Sequence, residues 1–468
     1  MRIAIFGTGA YYNKFKTYFK PEDIVSIISN NAIPNEEIDG HLVIKPDELD
    51  ASGIDKIYIL VKSFHEIVEQ LQLLGFDKSN IKTYQDIAND FGLRVGIYSG
   101  CQQFEVNDIL DSSAPKVFIL SHGYSLTGVP IALLQLALLF KEIGWIPIYG
   151  GVDGGPLKSE LIKSGIYFTD ELNIYLYTRS FVQLVELCDL SVIGSFALKD
   201  IGLMIQNNSK AMMWWCHESL DMYFTNGILK CRDNKDIFCG VGERAIAKFN
   251  QYYPNIEMWD FCYFIPELET QLRLKHDKYI ISIIGSIEFR KAQDILLSAI
   301  EKISNQVSPY IKVIIAGKMS HSNTEERYID GIKQKIDKLS CVEYVGEMSR
   351  DEITDLYQKT DLLVCPSRDD PMPIVVTEAM QRGIPCIVST EVGQAAFIKN
   401  NVNGYVFNSE SSEELSNALL SAIVNKEKTK IVGEQGREIY NKYFTKDVAR
   451  HKLISILHNF GMQLIDNI

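Results

Sequence analysis

LLVCPSRDDPMPIVVTEAMQRGIPCIVSTEVG, residues 362–393, decides how the rest of this chain is read. Its pattern predicts a strand (LLVC), a polar loop (PSRDDPMP), a helix (IVVTEAMQRG), a second strand (PCIVS) and a further loop. Asp370 falls in the loop just before the helix, and Glu378 follows eight positions later, about two helical turns in on one face. The loop leads into a helix N-terminus, whose free backbone N–H groups and dipole favour an anion such as a diphosphate. Nearby carboxylates suit sugar hydroxyls, because ionised oxygens accept strong hydrogen bonds. Backbone for phosphate and carboxylates for sugar point to an enzyme acting on a nucleotide sugar. The bland alternative is a buried α/β unit with a capping aspartate.

The block resembles the donor-binding signature of family-four retaining glycosyltransferases (glycosyl transferases group 1). Their two facing Rossmann-like domains make up the GT-B architecture. The family pattern is Glu, seven residues, Glu, then Ala-Met and a Gly-Ile/Val-Pro strand. Here Asp370 stands for the first Glu, while Glu378, Ala379, Met380, Gly383 and Pro385 stand where the pattern has them. The Asp-Pro-Met-Pro run from Asp370 to Pro373 resembles a subgroup variant.

Other blocks extend the resemblance, in the family's order, from about 116 to 450. SHGYSLTGVPIALLQLALLF (121–140) is similar to the family's first loop and helix. Gly128, without a Cβ, lets a diphosphate or sugar come close, and Pro130 suits a first helical turn. His122 at the strand end is read either as a substrate contact or as a stabiliser of its own loop. AMMWWCHES (211–219) resembles the family's Trp-Trp-x-His-Glu pattern. The resemblance implies that His217 contacts the donor sugar or lies beside the reacting carbon, and that Glu218 orients it or touches the acceptor. Trp214 and Trp215 read as packing.

IIGSIEFRKAQDILLSA (283–299) resembles the family's phosphate-binding loop. Lys291 takes the place of the lysine that binds donor phosphates. Most members carry an Arg straight after the Gly, where this chain has Ser286, and Arg290 is the candidate for the missing charge. Gly346 to Met348 corresponds to the stretch that brings backbone near the nucleobase. In TEVGQAAFI (390–398), Gln394 and Ala395 depart from the family's Gly-Gly-x-x-Glu. The implied donor set is therefore Gly128, Arg290, Lys291, Gly346, Met348, Met372, Pro373 and Glu378. Asp370, His217 and Glu378 form the catalytic set, with His122 and Glu218 as candidates for the acceptor or sugar side and no metal ligands.

The fold class expected is α/β: two facing Rossmann-like domains preceded by a small Rossmann-like module. Boundaries are read as 1–92 for the accessory module, 93–272 for the acceptor-side domain and 273–444 for the donor domain. Residues 445–468 make a terminal helix crossing back to the middle domain. A fresh start is read at RVGIYSG (94–100), all three regions are read as parallel α/β, and ETQLRLKHDK (269–278) is read as a linker.

Bulk properties narrow the function classes. A length of 468 residues suits two or three domains. The net charge of −13 speaks against a nucleic-acid binder. Nine cysteines without a Cys-x-x-Cys pair suggest reduced cytosolic thiols. MRIAIFGTG opens as a strand and turn, not as a signal peptide, and the apolar run 129–140 is too short to span a bilayer. A cytoplasmic location is expected, with any membrane contact peripheral.

The first unit's GTGAYYNK has Tyr12 where a dinucleotide fingerprint needs its third glycine. The second strand ends in Ser29-Asn30-Asn31, with no acidic residue for a ribose, so NAD is not expected and no cofactor is assigned. The module resembles Rossmann-like units joined to sugar-modifying enzymes, such as the N-terminal part of sugar acetyltransferases, and reads as a docking or regulatory element. The expected partners are a nucleotide sugar and a saccharide, lipid-linked or protein acceptor. Two rival readings remain: a nucleotide-sugar 2-epimerase, which needs no acceptor, and a non-catalytic nucleotide-sugar-binding partner of another transferase.

Overall fold

In the N-terminal region, alternate residues of one short strand serve two apolar layers. Ile3 and Ile5 pack with Tyr12, Phe15 and Tyr58, whereas Ala4 and Phe6 pack with Ile57, Ile59 and Leu71. A strand buried on both faces reads as a continuous apolar run, as IAIF does here. The computed structural model describes residues 1–61, 64–92, 95–104, 113–171, 179–268, 274, 276–320 and 324–462. They fall into two compact units: Met1–Ser113 with Gly150–Gly154 and Tyr167–Leu187, and Ala114–Tyr149 with Gly155–Ile166 and Cys188–Ile468.

The first unit holds a six-stranded sheet in the order Glu37–Ile38, His41–Ile44, Ile24–Ile28, Ile3–Phe6, Lys56–Ile59, Ile81–Thr83. Its pairs are parallel except the short edge strand Glu37–Ile38. Asn30, beyond Ile24–Ile28, and Gln70, in the helix His65–Leu73, exchange amide hydrogen bonds of 3.2 and 2.9 Å.

The segment read as a fresh parallel start differs. Ile97–Ser99 forms an antiparallel hairpin with Gln102–Phe104 and also pairs antiparallel with Tyr167–Glu171. The reason is length: only Gly100 and Cys101 connect the hairpin strands, whereas a parallel crossover needs a dozen residues or more. Arg94 of that segment lies outside the described residues.

The second unit contains two sheets. The C-terminal one has six parallel strands in the order Val342–Gly346, Ile311–Ala316, Tyr279–Ile284, Leu362–Cys365, Cys386–Ser389, Tyr405–Phe407. Numbered along the chain this is 3-2-1-4-5-6, and the direction of winding reverses between Tyr279–Ile284 and Leu362–Cys365. Open α/β sheets bind ligands beyond the carboxyl ends of the strands at such a reversal. The helix Gln293–Val307 buries Leu296, Leu297, Ile300 and Ile303 on one face of this sheet, and Leu356 covers Ile280 and Ile314 on the other.

The other sheet runs Trp259–Asp260, Asp236–Gly240, Met212–Cys216, Leu190–Ile193, Lys116–Gly123, followed by the strand opening at Ile146. It reverses between Lys116–Gly123 and Leu190–Ile193, so His122 and Gly123 stand at the reversal. The apolar run 129–140 lies in the helix Gly128–Glu142, largely buried. Among the described residues no helix is long and apolar enough to cross a membrane.

The two sheets are joined through Phe261, Cys262, Tyr263, Phe264 and Ile265, all buried. Trp215 donates to the Phe261 carbonyl at 2.8 Å, Tyr440 to that of Ile265 at 3.0 Å and Gln381 to that of Pro266 at 2.6 Å. Most of the charged segment 269–278 lies outside the described residues; within it, Leu274 donates its N–H to the Gln358 carbonyl at 3.1 Å. The terminal helix is described as Lys446–Asn459, with 463–465 outside the described residues. It pairs Lys446 and Arg450 with Glu142 of the helix Gly128–Glu142, and Lys452 with Asp260 of the strand Trp259–Asp260.

Candidate active site

The strand Tyr279–Ile284 ends in a tight turn that brings two cations to one carboxylate. Gly317, at φ +148°, stands so close to this turn that a Cβ would fall on the Gly285 carbonyl oxygen. Only glycine fits there, and the close approach sets where Gly285 and Ser286 leave the sheet. After Ser286 the chain makes one 3-10 turn, Phe289–Lys291, and enters the helix at Gln293 through Ala292 in the left-handed region (φ 55°). Arg368 fixes the turn: its backbone N–H reaches the Arg290 carbonyl at 2.8 Å and its guanidinium the Phe289 carbonyl at 2.7 Å. Asp294 and Glu410 hold that guanidinium in turn.

Lys291 Nζ donates to Asp370 Oδ2, and Arg290 lies 3.6 Å from the same oxygen while donating to the Asp369 carbonyl at 3.0 Å. The family-like lysine, the proposed substitute arginine and the variant aspartate thus meet at one point. Desolvation lowers the pKa of Arg290, but the surrounding carboxylates of Asp370 and Glu288 outweigh it and push the value up. The side chain stays charged.

The helix Ile374–Gln381 starts directly behind this cluster, and no side chain caps its first turn. Its entry is held by Tyr263, whose hydroxyl donates to the Met372 carbonyl and lies 3.0 Å from Thr377 Oγ1. Gln394 donates to the Pro373 carbonyl at 2.8 Å and to Thr377 Oγ1 at 3.0 Å. The residue that departs from the family pattern therefore acts as a brace for the loop.

Glu378 is 1% exposed and is held on both oxygens, by Arg350 and by the Tyr357 hydroxyl at 2.9 Å. Arg382 stacks on the Tyr357 ring and donates to the Glu378 carbonyl at 2.9 Å. Among the described residues Asp370 and Glu378 share no hydrogen-bond or ion-pair partner, so the two carboxylates form separate stations. Gly346 accepts from the Gly317 N–H at 2.7 Å, tying the expected base-side stretch to the turn. Met348 packs on the layer of Ile280, Ile314 and Leu356.

The facing sheet supplies the second wall. Gly128 opens a helix, and a Cβ on it would stand 3.9 Å from Ile374 Cδ1, so two helix N-termini meet here. His217 follows the strand Met212–Cys216, with its ring 4.4 Å from that of Trp215. Its Nε2 is buried and has no hydrogen-bond partner among the described residues. Burial, and then the charge of nearby His122, push its pKa down to about 3, so the ring is neutral at physiological pH.

Glu218 turns inward instead: Oε1 accepts from Ser195 Oγ at 2.5 Å and the Phe196 N–H at 3.1 Å, Oε2 from the His217 N–H at 3.1 Å. Burial pushes its pKa up to about 7 against these hydrogen bonds, which act in the opposite direction. Trp214 and Trp215 are fully buried.

Between the walls, Ser219 Oγ lies 2.6 and 2.7 Å from the two Asp369 oxygens, and Arg244 reaches Asp369 Oδ1 at 3.0 and 2.8 Å. Asp369, Ser219, Arg244, Arg350, Tyr357 and Tyr263 are absent from the set read from sequence. A local signal existed for Asp369 alone, as the twin of Asp370. Ser219 closes the AMMWWCHES block but was given no role there, and Arg244, Arg350, Tyr357 and Tyr263 lie outside the blocks read above.

Comparison with known proteins places these features in a family. Residues 264–439 match the family model for glycosyl transferases group 1, residues 113–236 that for glycosyl-transferase family 4, and residues 1–82 a C2185-like N-terminal model. An uncharacterized glycosyltransferase of Methanocaldococcus jannaschii is 24% identical over 308 residues, 63% of this chain and 76% of that protein. The D-inositol 3-phosphate glycosyltransferase of Mycobacterium marinum is 25% identical over 156 residues, only 33% of this chain and 32% of that one. Among solved structures, Anabaena HepE in complex with UDP-glucose aligns with a TM-score of 0.62 at 16% identity, covering 74% of this chain and 99% of that one. Sucrose-phosphate synthase of Thermosynechococcus elongatus has the same TM-score, identity and coverage. Likeness at this identity concerns the fold.

Proposed function

We propose that this chain, which belongs to the group 1 glycosyltransferases and has the GT-B architecture, moves a sugar from a nucleotide-sugar donor to a saccharide, lipid-linked or protein acceptor with retention at the anomeric carbon. One observation carries the donor assignment: Lys291 and Arg290 converge at the uncapped N-terminus of Ile374–Gln381, at the strand-order reversal. Such a point collects positive charge and backbone N–H groups suited to a diphosphate. That HepE was solved with UDP-glucose supports a nucleotide sugar as the ligand class.

In this mechanism the anomeric carbon–oxygen bond breaks with its electron pair leaving on the diphosphate. Lys291, Arg290 and the helix N-terminus stabilise the charge that develops there. The acceptor oxygen bonds to the anomeric carbon on the face the diphosphate leaves, and its proton passes to the departing phosphate oxygen. Asp370 orients the sugar, and neutral His217 offers Nε2 to a donor hydroxyl. Glu378 addresses the ribose from behind Arg350. Glu218, with both oxygens engaged by the protein, braces the His217 turn. The reaction requires no cofactor, and residues 1–92 serve as a docking module; the Asn30–Gln70 pair, which ties the chain beyond Ile24–Ile28 to the helix His65–Leu73, supports that reading over dinucleotide binding.

The test is a panel of UDP-, GDP-, ADP- and dTDP-sugars, with nucleoside diphosphate release measured with and without a mixture of glycan acceptors. Release stimulated by acceptor, with a sugar–acceptor product in the mass spectrum, is expected. Interconversion of the donor without an acceptor would mark an epimerase, and an inert chain would leave only the non-catalytic binding reading.

A further inference from the structure

Asp369 and Asp370 are neighbours with opposite allegiances. Asp370 turns to Lys291 within its own sheet's turn, whereas the Asp369 carboxylate reaches the facing sheet. There it meets Ser219, two residues beyond His217, and Arg244 at the start of the helix Glu243–Tyr252. The same guanidinium extends to Glu391 Oε2 at 2.5 Å. Glu391 is itself bound to the turn, because its carbonyl accepts the Asp370 N–H at 3.1 Å, and Gly393 donates to the Asp370 carbonyl at 2.9 Å. Arg244 therefore grips the Asp370 backbone from both sides, through residue 369 and through residue 391. Two residues earlier, Gly242 leaves room for the Met372 methyl: a Cβ there would collide with Met372 Cε. These contacts gather on the turn that carries Asp370.

We propose that Arg244 is a positioning residue for sugar transfer, acting through Asp369 and Glu391 to aim the Asp370 carboxylate and to hold the His217–Ser219 loop over the donor. The proposal rests on the transferase reading above. Asp370 has two calls on its charge, the cations at 290 and 291 and the hydroxyls of a sugar. Without the grip of Arg244, the turn loosens and the Asp370 carboxylate loses its aim at the sugar, while Asp369 keeps a largely buried charge without its guanidinium partner. Phosphate contacts from Lys291 and the helix N-terminus do not pass through Arg244. Donor binding and sugar alignment are thereby separated.

The experiment uses the full chain with Arg244→Gln, Arg244→Lys, Asp369→Asn and the double variant Arg244→Gln/Asp369→Asn, on the UDP-, GDP-, ADP- and dTDP-sugar panel. Turnover in Arg244→Gln should fall roughly ten- to a hundredfold, the scale of a small misplacement of reacting groups. Donor Kd should stay within about threefold, the signature of an interaction expressed in turnover and not in ground-state binding. Arg244→Lys should recover part of the loss, and the double variant should be no worse than Arg244→Gln. In the ligand-free chain, hydrogen exchange should rise at 369–372 and 391–394 and stay unchanged in Tyr279–Ile284. Unchanged turnover, a donor affinity that drops in step with turnover, or unchanged exchange at 369–372 would each overturn the proposal. Should the wild-type chain release no nucleoside diphosphate from any sugar in the panel, the transferase reading fails and this role falls with it.

Discussion

Lys291 and Asp370 are paired, so the group proposed to receive the donor phosphate is neutralised by the group proposed to address the sugar. A phosphate arriving at Lys291 competes with Asp370. Asp370→Asn should therefore bind free nucleoside diphosphate several-fold more tightly while transferring sugar more slowly. Calorimetric titration beside turnover measures both, and a parallel loss of affinity and rate would contradict the competition.

Removing the cations should have the opposite effect on binding. Lys291→Ala should weaken donor binding by about 1.5–3 kcal/mol, the usual size of a charge-assisted hydrogen bond. Arg290→Ala should lose a comparable amount, and Ser286→Arg in that background should restore part of it. Equal donor affinity in wild type and Arg290→Ala would remove Arg290 from the phosphate site.

Tyr357→Phe should lower thermal stability by about 1–3 kcal/mol, because it deprives a buried Glu378 oxygen of its donor. Arg350→Ala should instead uncover Glu378, since the arginine side chain is 53% exposed and the glutamate 1%. If Arg350 acts as a cover, donor association should quicken in this variant by stopped-flow mixing. A slower association would mean that Arg350 itself recruits the nucleotide.

His217 and Glu218 should pull stability in opposite directions with pH. The carboxyl of Glu218, raised from 4.5 to about 7, contributes stability that is full below pH 4.5 and lost as pH rises through 7. His217, lowered from 6.5 to about 3, contributes stability above pH 6.5 that is lost as pH falls toward 3. The melting temperature of His217→Gln, relative to wild type, should accordingly improve as pH falls from 6.5 to 4.5. A difference that is flat with pH would show that His217 titrates normally.

Local pattern carried the deciding block almost residue for residue. The predicted strand LLVC is Leu362–Cys365, the predicted helix begins at Ile374, and the strand after Pro385 is Cys386–Ser389. Each is a short segment whose apolar runs and turn residues suffice to define it. The hairpin at 97–104 escaped because three-residue strands carry too little periodicity to reveal direction. The meeting of Lys291, Arg290 and Asp370 was expected only through family likeness, and its geometry depends on Gly317 and Arg368, which no pattern singled out. Contacts such as Ser219 with Asp369 span 150 residues, and nothing in the neighbourhood of either residue encodes the other.

The covered passage Phe261–Ile265 makes the two sheets poor candidates for independent life. A protease would find no foothold between them at these residues, and a polypeptide cut here would bare aromatic side chains to water on both fragments. Shuffling C-terminal halves between relatives would then succeed only where the borrowed half brings counterparts of Gln381 and Tyr440 to receive this strap, so exchange of that sheet is constrained by a seam of three backbone carbonyls.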